Sequence, residues 1–203
     1  MANSLADELK RMQTDFKLLQ KNLPKEVGNI TRNNFLANFD KEAFNTNKWT
    51  PRKFDDEGKK RNLLVKSGKL RRSIRVTVAQ WGNIRVGSNM DYAQIHNEGG
   101  TTHPNVTPRM RKFAWAMYYK KKGNAGKVED STRDSDIRKY TKANKVAGFW
   151  LALALTDKKK LTIKIPKRQY MGQDAELEKQ ITEHIAQRVS ALLGREVRVI
   201  VRL

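Results

Sequence analysis

Cysteine is absent from all 203 residues. That excludes disulfides, a thiol nucleophile and thiolate metal sites, and nothing points to an oxidising compartment. Long apolar runs are also missing. The longest, VAGFWLALAL at 146–155, is about half of the ~20 residues a membrane span needs and reads as a buried helix. The opening MANSLADELKRMQTDF carries acid and an amphipathic pattern where a secretory leader would have a basic start and a continuous apolar stretch, so the default expectation is the cytoplasm. Without a leader, Asn29-Ile30-Thr31 and Asn105-Val106-Thr107 match the glycosylation pattern only by accident. No Gly-x-Ser-x-Gly, phosphate-binding Gly-x-x-x-x-Gly-Lys or Gly-x-Gly-x-x-Gly is present, which leaves enzymatic function without positive support.

Acid is scarce: 21 Asp and Glu face 42 Lys and Arg, for a net charge of +21. Such a balance favours polyanions, whose counterions are released as cations approach, and equally favours acidic protein surfaces. A hydrophobic fraction of 38% supports a folded chain. The length suits one domain spanning 1–203, with room for an insertion.

Leu5, Leu9, Met12, Phe16 and Leu19 recur at spacings of four, three, four and three, which predicts a helix over about 4–21 with one apolar stripe. Pro24 suits the first turn of a second helix whose buried face is Phe35, Leu36, Phe39 and Ala43. Both helices, within residues 1–48, are expected to pack on a sheet. The period then falls to two: Ile74, Val76 and Val78 alternate with Arg75 and Thr77, and Ile84 and Val86 flank Arg85. With the turn QWGN between them, the two stretches predict a hairpin over about 70–88 with arginines facing away from the core. YAQIHNEGG follows and turns sharply at Gly99-Gly100, with Tyr92 and Ile95 expected inside.

Thr107-Pro108 is a helix start, hydroxyl first and proline at the first helical position. Met110, Ala114 and Met117 share one side of that helix, and lysines 120–122 complement its negative end. Residues 120–145 are rich in small and charged residues and read as a mobile loop. Val146, Phe149, Trp150 and Leu153 restore helical spacing. LTIKI is a strand, IPKRQYMG a corner, and Leu177, Ile181, Ile185, Val189 and Leu192 a closing helix stopped by Gly194. EVRVIVRL at 196–203 alternates as a last strand. The expected fold is therefore α+β: a mainly antiparallel sheet (63–100 and 161–203) packed by N- and C-terminal helices, with a helical insertion at 101–160.

Candidate chemistry is thin. His96 and Glu98 in HNE match the His-x-Glu of zinc deaminases, but the cysteine half of that motif is missing. His96, Glu98 and His103 lack the rigid spacing that holds a metal, so no metal and no cofactor is expected. His184 reads as a boundary histidine on the last helix. Lys120, Lys121 and Lys122, with Lys158, Lys159 and Lys160, are candidates for polyanion contact, although lysines at helix ends are ordinarily solvated.

At the corner, Pro166 ends the strand and Gly172 with Asp174 turns the chain and caps the last helix. Tyr170 and Met171 fill space beneath. Lys167 and Arg168 point outward, and Arg168 either grips a carboxylate on a neighbouring molecule or ties the corner to the tail of its own subunit.

LVKSGKLRRSI, the hairpin, YAQIHNEGG, RMRKFAWAMYYKKK, FWLALAL and IPKRQYMG, taken in that order over roughly 63–173, resemble the virion-morphogenesis or tail-completion family of Mu-like and P2-like tailed phages. The resemblance implies a structural protein with no catalytic residues, assembled in the host cytoplasm, acting at the head-tail joint or the tail end. It also implies a homo-oligomeric ring, a hexamer being the expected size, with phage neck and tail proteins as partners and no membrane. On that basis Tyr92, His96, Glu98, Lys167, Arg168 and Tyr170 are candidate subunit-interface residues. The lysine-rich stretch near 120–145 departs from the pattern. The alternative reading is a basic nucleic-acid-binding module.

Overall fold

The computed structural model describes residues 5–52, 61–125 and 145–194. They form an α+β fold with two compact units, one of residues 1–99 and 166–203, the other of residues 100–165.

The first unit is organised by one long helix, α1, Leu5–Lys41. A break between two helices near Pro24 is not seen: Pro24 lies inside α1 and is buried. A mid-helix proline forfeits one backbone hydrogen bond and crowds the preceding turn, at a cost of ~3 kcal/mol. Burial on both sides of it outweighs that cost, with Leu19, Leu23 and Val27 in one apolar cluster and Phe35 and Phe39 in another. After α1 the strands β1 (Ala43–Phe44) and β2 (Asn47–Lys48) make a minimal hairpin. The short helix α2 (Lys69–Ser73) leads into β3 (Arg75–Gln80) and β4 (Asn83–Gly87), the antiparallel hairpin foreseen from the alternation. Its register shifts between Val76 and Val78. Ile74, just before β3, is fully buried. β3 approaches α1 so closely that a Cβ on Gly28 would stand 2.9 Å from Val76 Cγ1.

In YAQIHNEGG the sharp turn expected at Gly99-Gly100 is preceded by a short helix. Ala93–Glu98 form a helical turn, α3, that ends at Gly99. The closing helix α6, Ala175–Leu193, is capped by Asp174, whose carboxylate accepts from the Glu176 amide at 3.0 Å, and stops at left-handed Gly194, as its sequence signals require. α6 runs antiparallel to α1. Leu177 shares a cluster with Phe35 and Phe39, His184 Nε2 lies 2.8 Å from Glu26 Oε2, and Val189 and Leu192 pack on the cluster of Leu19 and Leu23. Arg188 Nε is 3.1 Å from the same carboxylate without an aligned hydrogen bond, so its contribution is charge alone.

In the second unit, β5 (Gly100–Thr102) pairs antiparallel with β6 (Ile163–Ile165). Helix α4, Pro108–Ala125, starts as its sequence predicts, with Thr107 Oγ1 accepting from the Met110 amide at 3.2 Å. Residues 145–154 form helix α5. Among the described residues of this unit the small Ala114, Ala147 and Ala154 are the buried ones, while Phe113 and Phe149 stay half-exposed and pair edge-on with Trp150. Among the described residues antiparallel pairing is thus divided among three two-stranded ladders rather than gathered in one sheet. Most of the mobile loop expected at 120–145, and the last strand expected at 196–203, lie outside the described residues.

Candidate functional site

The corner Pro166–Gly172 is held by polar side chains from three other segments. Its sequence cannot continue β6, because proline has no amide hydrogen, and it is too short for a helix. Its backbone groups therefore need side-chain partners. Asn97 Oδ1 accepts from the amides of Tyr170 and Met171 at 2.9 and 3.0 Å, and its Nδ2 donates to the Met171 carbonyl at 3.1 Å. Asn38, buried on α1, donates to the Tyr170 carbonyl at 3.2 Å, and Trp49 Nε1 donates to the Gln169 carbonyl at 2.7 Å. Arg168 donates its amide to the His96 carbonyl at 2.9 Å.

Tyr170 is the centre of this arrangement. It is completely buried, its ring 4.8 Å from that of Phe39, and its hydroxyl donates to the Ala93 carbonyl at 3.0 Å. Burial, with the nearby Tyr92 adding to it, pushes the phenol up to about 12. An unfolded tyrosine ionises near 10, so the folded chain keeps a proton that the unfolded chain sheds. This contribution is complete below pH ~10 and is lost as pH rises to about 12. Urea midpoints of the native chain, compared with Tyr170→Phe between pH 9 and pH 12, will show a steeper alkaline decline in the native chain.

Asn97 is expected to matter more than its exposed neighbours. Asn97→Ala strands two amides and a carbonyl, each worth about 1–3 kcal/mol if buried without a partner. Because the site is only partly buried, water recovers some of this, and we expect a loss of roughly 2–4 kcal/mol in chemical denaturation.

Of the six residues singled out by sequence, all belong to this corner, but they divide in role. Tyr170 fills the core and offers no side-chain surface to a neighbour. Tyr92, expected inside, is exposed, because α3 turns Ala93 inward and leaves Tyr92 at the helix start. It stands edge-on to His96 with ring centroids 5.9 Å apart. Glu98 accepts from Gln94 at 3.1 Å. Arg168 ties the corner to the stretch after β2: Nε donates to the Thr50 carbonyl at 3.0 Å and a terminal nitrogen reaches the Pro51 carbonyl at 3.5 Å, while the tail expected as its partner lies outside the described residues. Lys167 is exposed beside it. Burial and the Arg168 charge hold His96 below the usual histidine range, which keeps it neutral near pH 7, and its Nδ1 is buried without a hydrogen bond.

His96 and Tyr92 also line a cavity of about 350 Å³ together with Arg52, Arg61, Leu64 and Lys66. Leu64 there adopts φ 60, an unfavourable backbone for a leucine. Among the described residues no group of three His, Asp or Glu could hold a metal. No helix among them is long and apolar enough to cross a membrane.

The lysine candidates belong to the second unit. Lys122 Nζ sits 5.8 Å from the Tyr118 ring centroid. Lys158, Lys159 and Lys160 are exposed, and the Lys159 carbonyl accepts from the Val106 amide at 2.8 Å. Sequence reading missed Asn97, Asn38 and Trp49. For Asn38 a signal existed, since it sits between Phe35 and Phe39 on the apolar face of α1, where a polar side chain must have a partner.

The fold and corner define an α+β protein whose polar groups are spent on fixing a surface corner. Residues 2–190 match the phage virion morphogenesis family, and the chain belongs to that family. It therefore serves in the structure or assembly of a phage virion. No curated protein and no solved structure matches it.

Proposed function

We propose that this protein completes or joins the phage tail, at the neck or at the tail end, through protein-protein contacts and as a homo-oligomeric ring with six copies as the expected size. Family membership over 2–190 is the observation that carries this reading. The corner supports it: Tyr92, Glu98 and Lys167 are exposed on a backbone that Asn97, Asn38, Trp49 and Arg168 hold in place. Such preformed surfaces lose little entropy on docking, and a closed ring repeats each contact at every subunit. Neck and tail proteins are the partners in this reading, the role is structural rather than enzymatic, and the working place is the virion after assembly in the host cytoplasm.

Electron microscopy of lysates from a phage with a stop codon at Lys10 tests the role. Filled heads beside unattached tails are expected; normal infectious particles would overturn it. In the purified protein, Lys167→Glu is expected to reduce the ring-sized fraction in light scattering without lowering Tm.

A second reading rests on the net charge of +21 and the exposed run Lys158–Lys160: non-specific contact with passing DNA. Here log affinity for duplex DNA falls linearly with log salt, and charge reversal at Lys120, Lys121 and Lys122 makes that slope shallower.

A further inference from the structure

The cavity beside His96 has two unlike walls. Arg52, Arg61 and Lys66 bring three positive charges to it, while Leu64, Leu70 and the ring of Tyr92 give it an apolar side. No Asp or Glu is among the described residues that line it. Like charges are also crowded next to it. Burial, and after it the charge of Arg52, hold the Arg168 guanidinium below its ordinary value, and Glu42 acts the other way. The Glu42 carboxylate is itself engaged, accepting from the Leu63 amide. Cations held this close favour the arrival of an anion. His96 adds a polar atom with no partner: its Nδ1 is buried and makes no hydrogen bond, and a neutral imidazole has one N–H to give.

The walls are set in advance. Arg52 is placed by its hydrogen bond to the Asn62 carbonyl at 2.6 Å, and Leu64 keeps φ 60, a backbone that persists only where the surroundings over-determine it, as they do around ligands. At about 350 Å³ the space falls at the small end of the ~300–1,000 Å³ of ligand sites and cannot admit a nucleic-acid duplex. We propose that this cavity binds a small organic oxyanion, a molecule with one phosphate or carboxylate group and one short apolar part. The anionic group lies among Arg52, Arg61 and Lys66, whose guanidinium forks match either kind of oxyanion, and the apolar part lies on Leu64, Leu70 and Tyr92. The site needs no second copy of the chain, so it stands apart from ring assembly.

Phenyl phosphate, benzoate and benzylammonium share a ring and differ in charge, and titrating each into the full-length protein at physiological salt tests the site. The imidazole region of the nitrogen-proton spectrum holds only three histidines, and His96→Gln assigns the signal of interest. At least one of the two anions should bind saturably, one per chain, and move the His96 signal while leaving those of His103 and His184 in place. Whichever anion binds more tightly identifies the group as phosphate or carboxylate, and benzylammonium should not bind. A chain of net charge +21 attracts anions everywhere, so two equal charge reversals separate the cavity from the general field. Lys66→Glu, at the rim, should weaken binding roughly tenfold or more, as loss of a charge-assisted contact does. Lys69→Glu, one turn away and outside the cavity, should weaken it less than about twofold, since salt screens an exposed charge. Both lysines are exposed, so neither change disturbs the core. Absence of saturable binding by either anion, an unmoved His96 signal at saturation, equal weakening by the two reversals, or binding of benzylammonium would each overturn the proposal.

Discussion

Gly99→Ala will be the most damaging single-methyl substitution at the corner, costing roughly 3–5 kcal/mol. Two independent effects add. The glycine ends α3 with φ 77 and ψ 175, a backbone combination that is almost confined to glycine and costs a side-chain-bearing residue about 1–3 kcal/mol. The added Cβ would also stand 2.9 Å from the Lys167 backbone nitrogen and 3.1 Å from its Cα. Main chain cannot swing aside as a side-chain tip can, so the strand of the corner must move. That movement would stretch the bond from the Arg168 amide to the His96 carbonyl and the two amide bonds to Asn97 Oδ1. The check is denaturant unfolding of Gly99→Ala against Gly172→Ala. At Gly172 a Cβ would meet side chains and no main chain, first the end of Gln169 and then Phe44 Cζ at 3.2 Å, and a smaller loss is expected there. Equal losses in the two variants would refute the account of Gly99.

Tyr170→Ala is expected to cost a comparable amount, about 3–5 kcal/mol, by a different mechanism. Removing a fully buried aromatic side chain loses its transfer free energy and leaves a cavity, here next to Phe39 and Leu177. The Ala93 carbonyl also loses the tyrosine hydroxyl. Tyr170→Phe separates the two effects: it keeps the ring and removes only the hydrogen bond, for an expected loss of about 1–2 kcal/mol. If the alanine and phenylalanine variants unfold at the same denaturant concentration, packing around the ring is not what stabilises the corner. Both variants should also weaken ring assembly if the exposed corner is a subunit contact, because Tyr92 and Lys167 depend on this core for their positions.

Much of the organisation was legible in sequence because it is set by local rules. The period of two in RVTVAQ and NIRVG gave the β3–β4 hairpin, Thr107-Pro108 and Asp174 gave two helix starts, and Gly194 gave a helix stop. Each of these depends only on residues within a few positions of one another. The same holds for the family resemblance, which rests on the order of short motifs, and the match over 2–190 agrees with it.

Wherever a local preference competed with packing, sequence alone decided wrongly or not at all. Pro24 is a local signal for a helix start, yet α1 passes through it, because the apolar clusters on either side bury more than the proline forfeits. Tyr92 carries a large ring like many core residues, but α3 turns Ala93 inward and leaves Tyr92 exposed at its start. The partners of Arg168, the carbonyls of residues 50–51, lie more than a hundred positions away, and only the tertiary approach of that stretch supplies them. Asn97 and Tyr170 find each other in the same way across 73 positions. By itself, then, the sequence determined the β3–β4 hairpin, the starts of α4 and α6, the family and the absence of thiol chemistry. The tertiary structure decided which polar groups meet and which side chains of the described residues are buried, since those depend on distances between segments that no local pattern encodes.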